Sequence, residues 1–163
     1  MNKLFKAITT LYLIMSYSLS SGQGDVDSIK NYCKLLNQLS ISPSNKLIKI
    51  DLGMGAVLHG YFIADSLIHI HWFNAHTSLW QNDFYYKDGY IVLARYRKRR
   101  PMLEGQEMEV LFDDTYYFDQ KKVIKKEFIG SRSKKVRKEI QNDILKEALQ
   151  YRDMLLSEKM KKE

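Results

Sequence analysis

The sequence predicts an α+β fold: an antiparallel β-meander of about six or seven strands, with an N-terminal helix and a long C-terminal helix. Three observations lead to this prediction. Apolar residues recur every three or four positions near the two ends of the chain and every second position in the middle. Aromatic residues make up 12% of the chain, with eleven tyrosines, which favours β-structure. Turn-forming residues separate the alternating segments, and 163 residues suit one domain.

The N-terminus has the pattern of a secretory signal. Two lysines precede an apolar run at 7–15, and small residues follow. We therefore predict a cleaved signal peptide over 1–22, with cleavage after Ser20 or Gly22, and a periplasmic or extracellular protein. The alternative is a short membrane anchor, but about nine apolar residues are half of what spans a bilayer. The remaining chain, 23–163, is predicted to be one domain without a transmembrane span.

A helix is predicted over 25–40, with Asp25 or Asp27 as its cap. Its apolar stripe consists of Ile29, Tyr32, Cys33, Leu36 and Leu39. Cys33 is the only cysteine, so an intramolecular disulfide is excluded. On an apolar helix face we expect it to be buried, and a bond to a partner protein is the alternative.

Antiparallel hairpins are predicted over 46–129. In the first strand Ile48, Ile50 and Leu52 lie on one side, and Lys49 and Asp51 on the other. Three related hairpins follow, centred on YFIADSLIHI, YYKDGYIVLA and YYFDQKKVIK. Each has a pair of aromatic residues, a turn that contains aspartate, and a return strand with β-branched residues.

The middle hairpin has a turn that predicts its register. Lys87-Asp88-Gly89 fits a three-residue loop, with Tyr86 facing Tyr90 and Phe84 facing Val92. One face then carries Phe84, Tyr86, Tyr90, Val92, Ala94 and Tyr96, and the other carries Asp83, Arg95 and Arg97. The third hairpin has no glycine in its turn, so its register stays open.

The C-terminal helix is predicted over 134–160. Its apolar stripe consists of Val136, Ile140, Ile144, Ala148, Tyr151 and Leu155, and charged residues occupy the other positions.

The repeated hairpin unit resembles exported bacterial proteins built from tandem YYxDGxL-type β-hairpins. The resemblance covers about 56–129, and the middle copy, Tyr85-Tyr86-Lys87-Asp88-Gly89, keeps the glycine. It implies an antiparallel meander. It implies no catalytic residues, since the positions of the motif belong to turns and core.

Three histidines in the first hairpin are candidate metal ligands. With a three-residue loop, Ala64-Asp65-Ser66, His59 faces His71 across the hairpin, and His69 lies two residues along the same strand. Such neighbours have Cβ atoms about 5 to 7 Å apart, a distance that imidazoles can close around zinc. A loop of two or four residues would move His59 to the other face. The structural alternative is that these histidines fill a half-exposed strand face.

A row of guanidinium groups is the second candidate site. Arg95, Arg97 and Arg99 share one face of a strand, which suits phosphate or sulfate contacts. Further cations follow at Lys121, Lys122, Lys125, Lys126, Lys134, Lys135, Arg137 and Lys138. The net charge is +7, or +5 once Lys3 and Lys6 are removed with the leader. The alternative is that these cations protect sheet edges from aggregation.

The sequence thus favours an exported, non-enzymatic binding or structural protein with no cofactor. Its expected partners are an anionic glycan, a lipid head group or a protein, and export disfavours nucleic acid. The alternative is a zinc-dependent hydrolase or hydratase that uses His59, His69 and His71. There is no phosphate-binding glycine loop or nucleophile elbow, so no catalytic residue is assigned.

Overall fold

The computed structural model describes residues 25–40, 46–74, 76, 79–100 and 108–161. Within them, seven strands form one antiparallel sheet whose spatial order follows the chain order. The elements are α1 Val26–Ser40, β1 Lys46–Gly53, β2 Ala56–Ile63, β3 Ser66–Asn74, β4 Trp80–Lys87, β5 Tyr90–Arg100, β6 Glu109–Asp119, β7 Lys122–Gly130 and α2 Lys134–Met160. The predicted α+β meander with a helix at each end is confirmed. The predicted signal peptide, 1–22, lies outside the described residues.

The two helices pack on opposite faces of the sheet, because neighbouring strand residues point to opposite sides. Tyr116 belongs to the core under α2, whereas Tyr117 belongs to the core under α1. The α2 core contains Leu58, Phe62, Ile70, Phe84, Tyr116, Ile144, Ala148 and Leu155. The α1 core contains Ile29, Cys33, Leu36, Ile68, Tyr85, Leu93 and Tyr117. Cys33 is a buried free thiol, as predicted.

Both helices begin at a polar side chain that accepts a hydrogen bond from a free backbone N–H group. Asp25 Oδ1 accepts from the backbone N of Asp27 at 3.3 Å, and Ser133 Oγ accepts from that of Val136 at 3.3 Å. The predicted stripe of α2 packs on the sheet from Ile140 onward, whereas Val136 is exposed. No helix in the described ranges is long and apolar enough to cross a membrane.

The middle hairpin has a two-residue turn rather than the predicted three-residue loop. Asp88 and Gly89 have φ of 52° and 79°, and Lys87 pairs with Tyr90. Two central residues with positive φ match the right-handed twist of the flanking strands. The predicted pairing of Tyr86 with Tyr90 is therefore wrong.

A β-bulge next to this turn changes the rest of the predicted register. Tyr86 pairs with Ile91 and Tyr85 with Leu93, so Val92 has no partner. The predicted pairing of Phe84 with Val92 is wrong, because Phe84 pairs with Ala94. Val92 packs in the α1 core, and Tyr90 is exposed. Phe84, Tyr86, Ala94 and Tyr96 do share the α2 face, as predicted.

The other two hairpins also have a two-residue turn followed by a bulge, although only the first turn residue, Ala64 or Gln120, has a positive φ. In the first, Ile63 pairs with Ser66 and Phe62 with Leu67, and Ile68 is the bulge residue. In the third, Asp119 pairs with Lys122, Phe118 pairs with Val123, and Ile124 is the bulge residue. The predicted loop Ala64-Asp65-Ser66 is one residue too long. The bulge adds that residue back, so the predicted pairing of His59 with His71 is confirmed.

Candidate metal centre

Two histidines and one aspartate meet on the α1 face of the sheet. His69 and His71 lie two residues apart on β3, so both side chains point to the same face. Asp83 lies on β4 directly opposite His71, and the residue opposite His69 is Tyr85. The pairing of β3 with β4 thus brings one carboxylate within reach of both imidazoles.

The carboxylate of Asp83 bridges the two imidazoles. Its Oδ1 lies 3.0 Å from His69 Nε2 and 2.8 Å from His71 Nδ1. One ligand atom from each residue can be chosen so that all three lie within 4.8 Å of one another. The second oxygen, Oδ2, accepts a hydrogen bond from Arg97 Nη2 at 2.5 Å. Both oxygens of Asp83 therefore have partners.

These separations are close to those of a zinc site. Ligand atoms about 2.0 to 2.1 Å from a tetrahedral zinc ion lie about 3.3 Å from one another. The two separations at Asp83, 2.8 and 3.0 Å, are shorter than this by about 0.3 to 0.5 Å. A rearrangement that brings all three ligand atoms, which lie within 4.8 Å of one another, to this spacing, with loss of the two bridging imidazole protons, would admit an ion.

The centre is buried on one side and open on the other. Asp83 and His69 are buried, whereas the side chain of His71 is 22% exposed. The ring of His69 is stacked between Tyr61, at 5.2 Å, and Tyr85, at 4.3 Å. Within the described residues, its Nδ1 is buried without a hydrogen-bond partner. These packed rings fix the orientation of His69 and leave His71 as the side of the centre that solvent reaches.

The hydrogen bonds keep Asp83 ionised. Burial by itself would raise the pKa of Asp83, but the hydrogen bonds from His69 and His71 outweigh it and hold that pKa well below its usual range. The centre therefore contains a buried carboxylate, which is the charged form that a cation requires.

His59, the third histidine of the predicted site, lies beside this group. It pairs with His71 across the hairpin, but its ring packs edge-on against Phe73 at a centroid distance of 5.0 Å. Burial lowers the pKa of His59, and the nearby Lys49 and His71 lower it further. The cluster that the structure brings together is His69, His71 and Asp83.

Acidic residues neutralise two of the three arginines in the predicted row. Arg95 donates from both Nε and Nη2 to Asp113, with the Nε bond at 2.7 Å, and Arg97 pairs with Asp83. Arg99 lies further along the strand, where its backbone N donates to Leu79 O at 2.8 Å. Two of the three guanidinium groups thus already have a carboxylate partner.

Sequence reasoning missed Asp83 as a member of the centre, although it placed this residue on the face opposite Phe84. Asp83 belongs to the second hairpin and the histidines to the first, so only the pairing between the two hairpins connects them. An aspartate directly before the aromatic run Phe84-Tyr85-Tyr86 of a strand was the available signal.

Comparison of the chain with protein-family models, with curated proteins and with solved structures finds no match to any of them.

Proposed function

We propose that this chain binds a divalent transition-metal ion through His69, His71 and Asp83, and that zinc is the ion the centre suits best. The observation that carries the proposal is the convergence of two imidazole nitrogens and one carboxylate oxygen within 4.8 Å. Two histidines with one carboxylate are a ligand set that zinc uses in catalytic sites.

The surroundings of the centre support this proposal. Arg97 holds the second oxygen of Asp83, which is how outer residues orient a ligating carboxylate. Three protein ligands leave a fourth position for water, and His71 provides the exposed side. This ligand count favours metal-assisted hydrolysis as a second candidate function, since a zinc-bound water ionises near neutral pH.

The other features predicted from the sequence remain proposals. Export rests on the N-terminal pattern, and the resemblance to tandem-hairpin proteins rests on the repeated turns. An anionic partner at Arg95 and Arg97 is less favourable than the sequence suggested, because Asp113 and Asp83 already compensate these charges.

Metal titration tests the proposed centre. The purified chain, freed of metal with a chelator and carrying no histidine tag, is titrated with zinc against a chromogenic chelator, and with cobalt for its visible absorption. We expect one ion per chain. His71→Ala should weaken zinc binding by at least about tenfold. Loss of a residue that only supports a metal ligand already lowers metal affinity by about this factor, and His71 is a proposed ligand itself.

His59→Ala is the matched control, because His59 lies directly across the hairpin from His71. We expect this variant to bind zinc as tightly as the wild type. Loss of binding in both variants would show that the three-histidine set holds the metal instead. If the wild-type chain binds no zinc when zinc and protein are present at equal concentrations, the proposed function is refuted.

A further inference from the structure

The positive charge of the chain is concentrated in one segment, 121–138, which we call the basic rim. This segment includes all of β7, the last strand of the sheet, and the start of α2. It carries Lys121, Lys122, Lys125, Lys126, Arg132, Lys134, Lys135, Arg137 and Lys138 against Glu127 alone. Nine cations and one acid give +8, which exceeds the +7 of the whole chain.

The basic rim runs along one edge of the sheet, where arginine contacts join β7 to the start of α2. The side chains of β7 point alternately to the two faces at this edge. Arg137 Nη2 donates to the backbone O of Gly130 at 3.1 Å, and its guanidinium lies 4.4 Å from the centre of the Phe128 ring. Arg132 and Arg137 both pair with Asp114, which is fully buried. These two arginines therefore attach the start of α2 to the sheet.

The lysines of the basic rim, in contrast, are exposed. Lys125 pairs with Glu127, which also accepts from Lys30 of α1. The others, Lys121, Lys122, Lys126, Lys134, Lys135 and Lys138, all lie at exposed positions. The two arginines thus have a structural role, and the lysines supply the outward positive charge.

Exposed apolar side chains lie among these lysines. Ile129 is 61% exposed, Phe128 41%, Val136 40% and Ile124 39%. Lysines alone would be explained as protection of an edge strand against pairing with other chains. Large apolar side chains at the same edge work against that protection and are typical of an interaction surface.

We infer that the basic rim docks on a bilayer that contains anionic phospholipids. Clustered lysines are attracted to such a surface, and aliphatic side chains gain free energy at the level of the head groups. Nucleic acid offers phosphates as well, but it rewards aromatic stacking and arginine contacts more than exposed isoleucine or valine. Three of the four exposed apolar side chains, Ile124, Ile129 and Val136, are aliphatic, and both arginines are paired with Asp114. The basic rim therefore favours lipid.

Vesicle sedimentation tests this inference. The purified chain is mixed with vesicles of phosphatidylcholine alone, or of phosphatidylcholine and phosphatidylglycerol in equal parts. We expect binding to the anionic vesicles only, with loss at high salt. The combined variant Lys121→Glu, Lys122→Glu and Lys126→Glu should bind about a hundredfold more weakly, since each lysine near such a surface contributes about fivefold.

A second triple variant, Lys34→Glu, Lys49→Glu and Lys146→Glu, is the matched control, because it changes exposed lysines outside the basic rim by the same total charge. It should keep at least about a tenth of the wild-type affinity. Equal losses in the two variants would overturn the inference, as would equal binding to neutral vesicles.

A single variant tests the apolar contribution without changing the charge. Ile129→Ser should weaken binding to anionic vesicles several-fold, and unchanged binding would overturn the role of the exposed aliphatic side chains. Tighter binding to duplex DNA than to anionic vesicles at the same salt concentration would overturn the choice of lipid. Circular dichroism and the urea midpoint of each variant establish that it is folded.

Discussion

Replacing Asp83 with asparagine removes the charge that holds the candidate centre together. The carboxylate accepts from His69, His71 and Arg97, and its own exposure is 3%. Breaking a buried ion pair by removing one partner costs about 3 to 5 kcal/mol. The side chains of Arg97 and His71 are 19% and 22% exposed, so water can partly solvate the polar groups that lose their carboxylate partner. We therefore expect Asp83→Asn to lower the free energy of unfolding by about 2 to 3 kcal/mol.

Urea denaturation in the presence of a chelator measures this loss without any contribution from metal. With a slope of about 1 to 3 kcal/mol per molar urea, the midpoint should fall by about 0.7 to 3 M. Glu109→Gln is the control, because Glu109 and its partner Arg100 form a surface ion pair whose side chains are 41% and 61% exposed. We expect that variant to lose about 1 kcal/mol or less. Equal losses in the two variants would refute the argument that Asp83 is the central charge.

Four further predictions concern the rest of the fold. Leu36→Ala should lower the free energy of unfolding in urea by about 2 to 5 kcal/mol, because Leu36 is fully buried in the α1 core; a loss below about 1 kcal/mol would mean that α1 does not pack there. The pKa of Glu127 is lowered to about 2 by hydrogen bonds from Tyr117, Lys30 and Lys125, so its stabilising effect should be present above about pH 4.5 and disappear as the pH falls through 2. Because the side chain of Glu127 is 38% exposed, the free energies of unfolding of Glu127→Gln and the wild type should differ by less than about 1 kcal/mol over an acid titration, and a larger difference would indicate a buried pair. Ala64→Gly should raise the urea midpoint, since Ala64 has a φ of 51°, which glycine adopts at lower cost; a fall would show that the turn is not left-handed there. Burial raises the pKa of the Cys33 thiol to about 12, so alkylation should require unfolding, and rapid labelling of the native chain would contradict the packing of α1.

The hairpin turns show how local chemistry and tertiary packing share the determination of register. The glycine after Asp88 marked a turn correctly, but the predicted three-residue loop placed Phe84 opposite Val92, two residues from its partner Ala94. In the first hairpin, by contrast, a two-residue turn with an adjacent bulge gives the same pairing of His59 with His71 as a three-residue loop. Packing of the bulge residues Val92 and Ile68 against α1 accompanies the two-residue turns. A sequence pattern with a period of two cannot reveal an unpaired residue in advance.

The histidine site likewise has one part that the sequence predicted and another that only the tertiary structure shows. The sequence placed His59, His69 and His71 on one face of the sheet, and the register of the first hairpin confirms that His59 faces His71. It could not supply the carboxylate, because Asp83 belongs to another hairpin. It also could not show that Arg95 and Arg97 are neutralised, since their acidic partners lie 18 and 14 positions away along the chain.

The sequence alone determined the elements of this fold: two amphipathic helices, the alternating strands, their turns and the chain order of the meander. These follow from apolar periodicity and turn residues, which act within a few positions of one another. Only the tertiary structure decided which charges meet. It placed the helices on opposite faces, joined Asp83 to His69 and His71, and left the lysines of the basic rim exposed. Pairing between strands of different hairpins depends on bulges and on side-chain packing across the sheet. Local sequence patterns do not predict these contacts, because the residues involved are far apart along the chain.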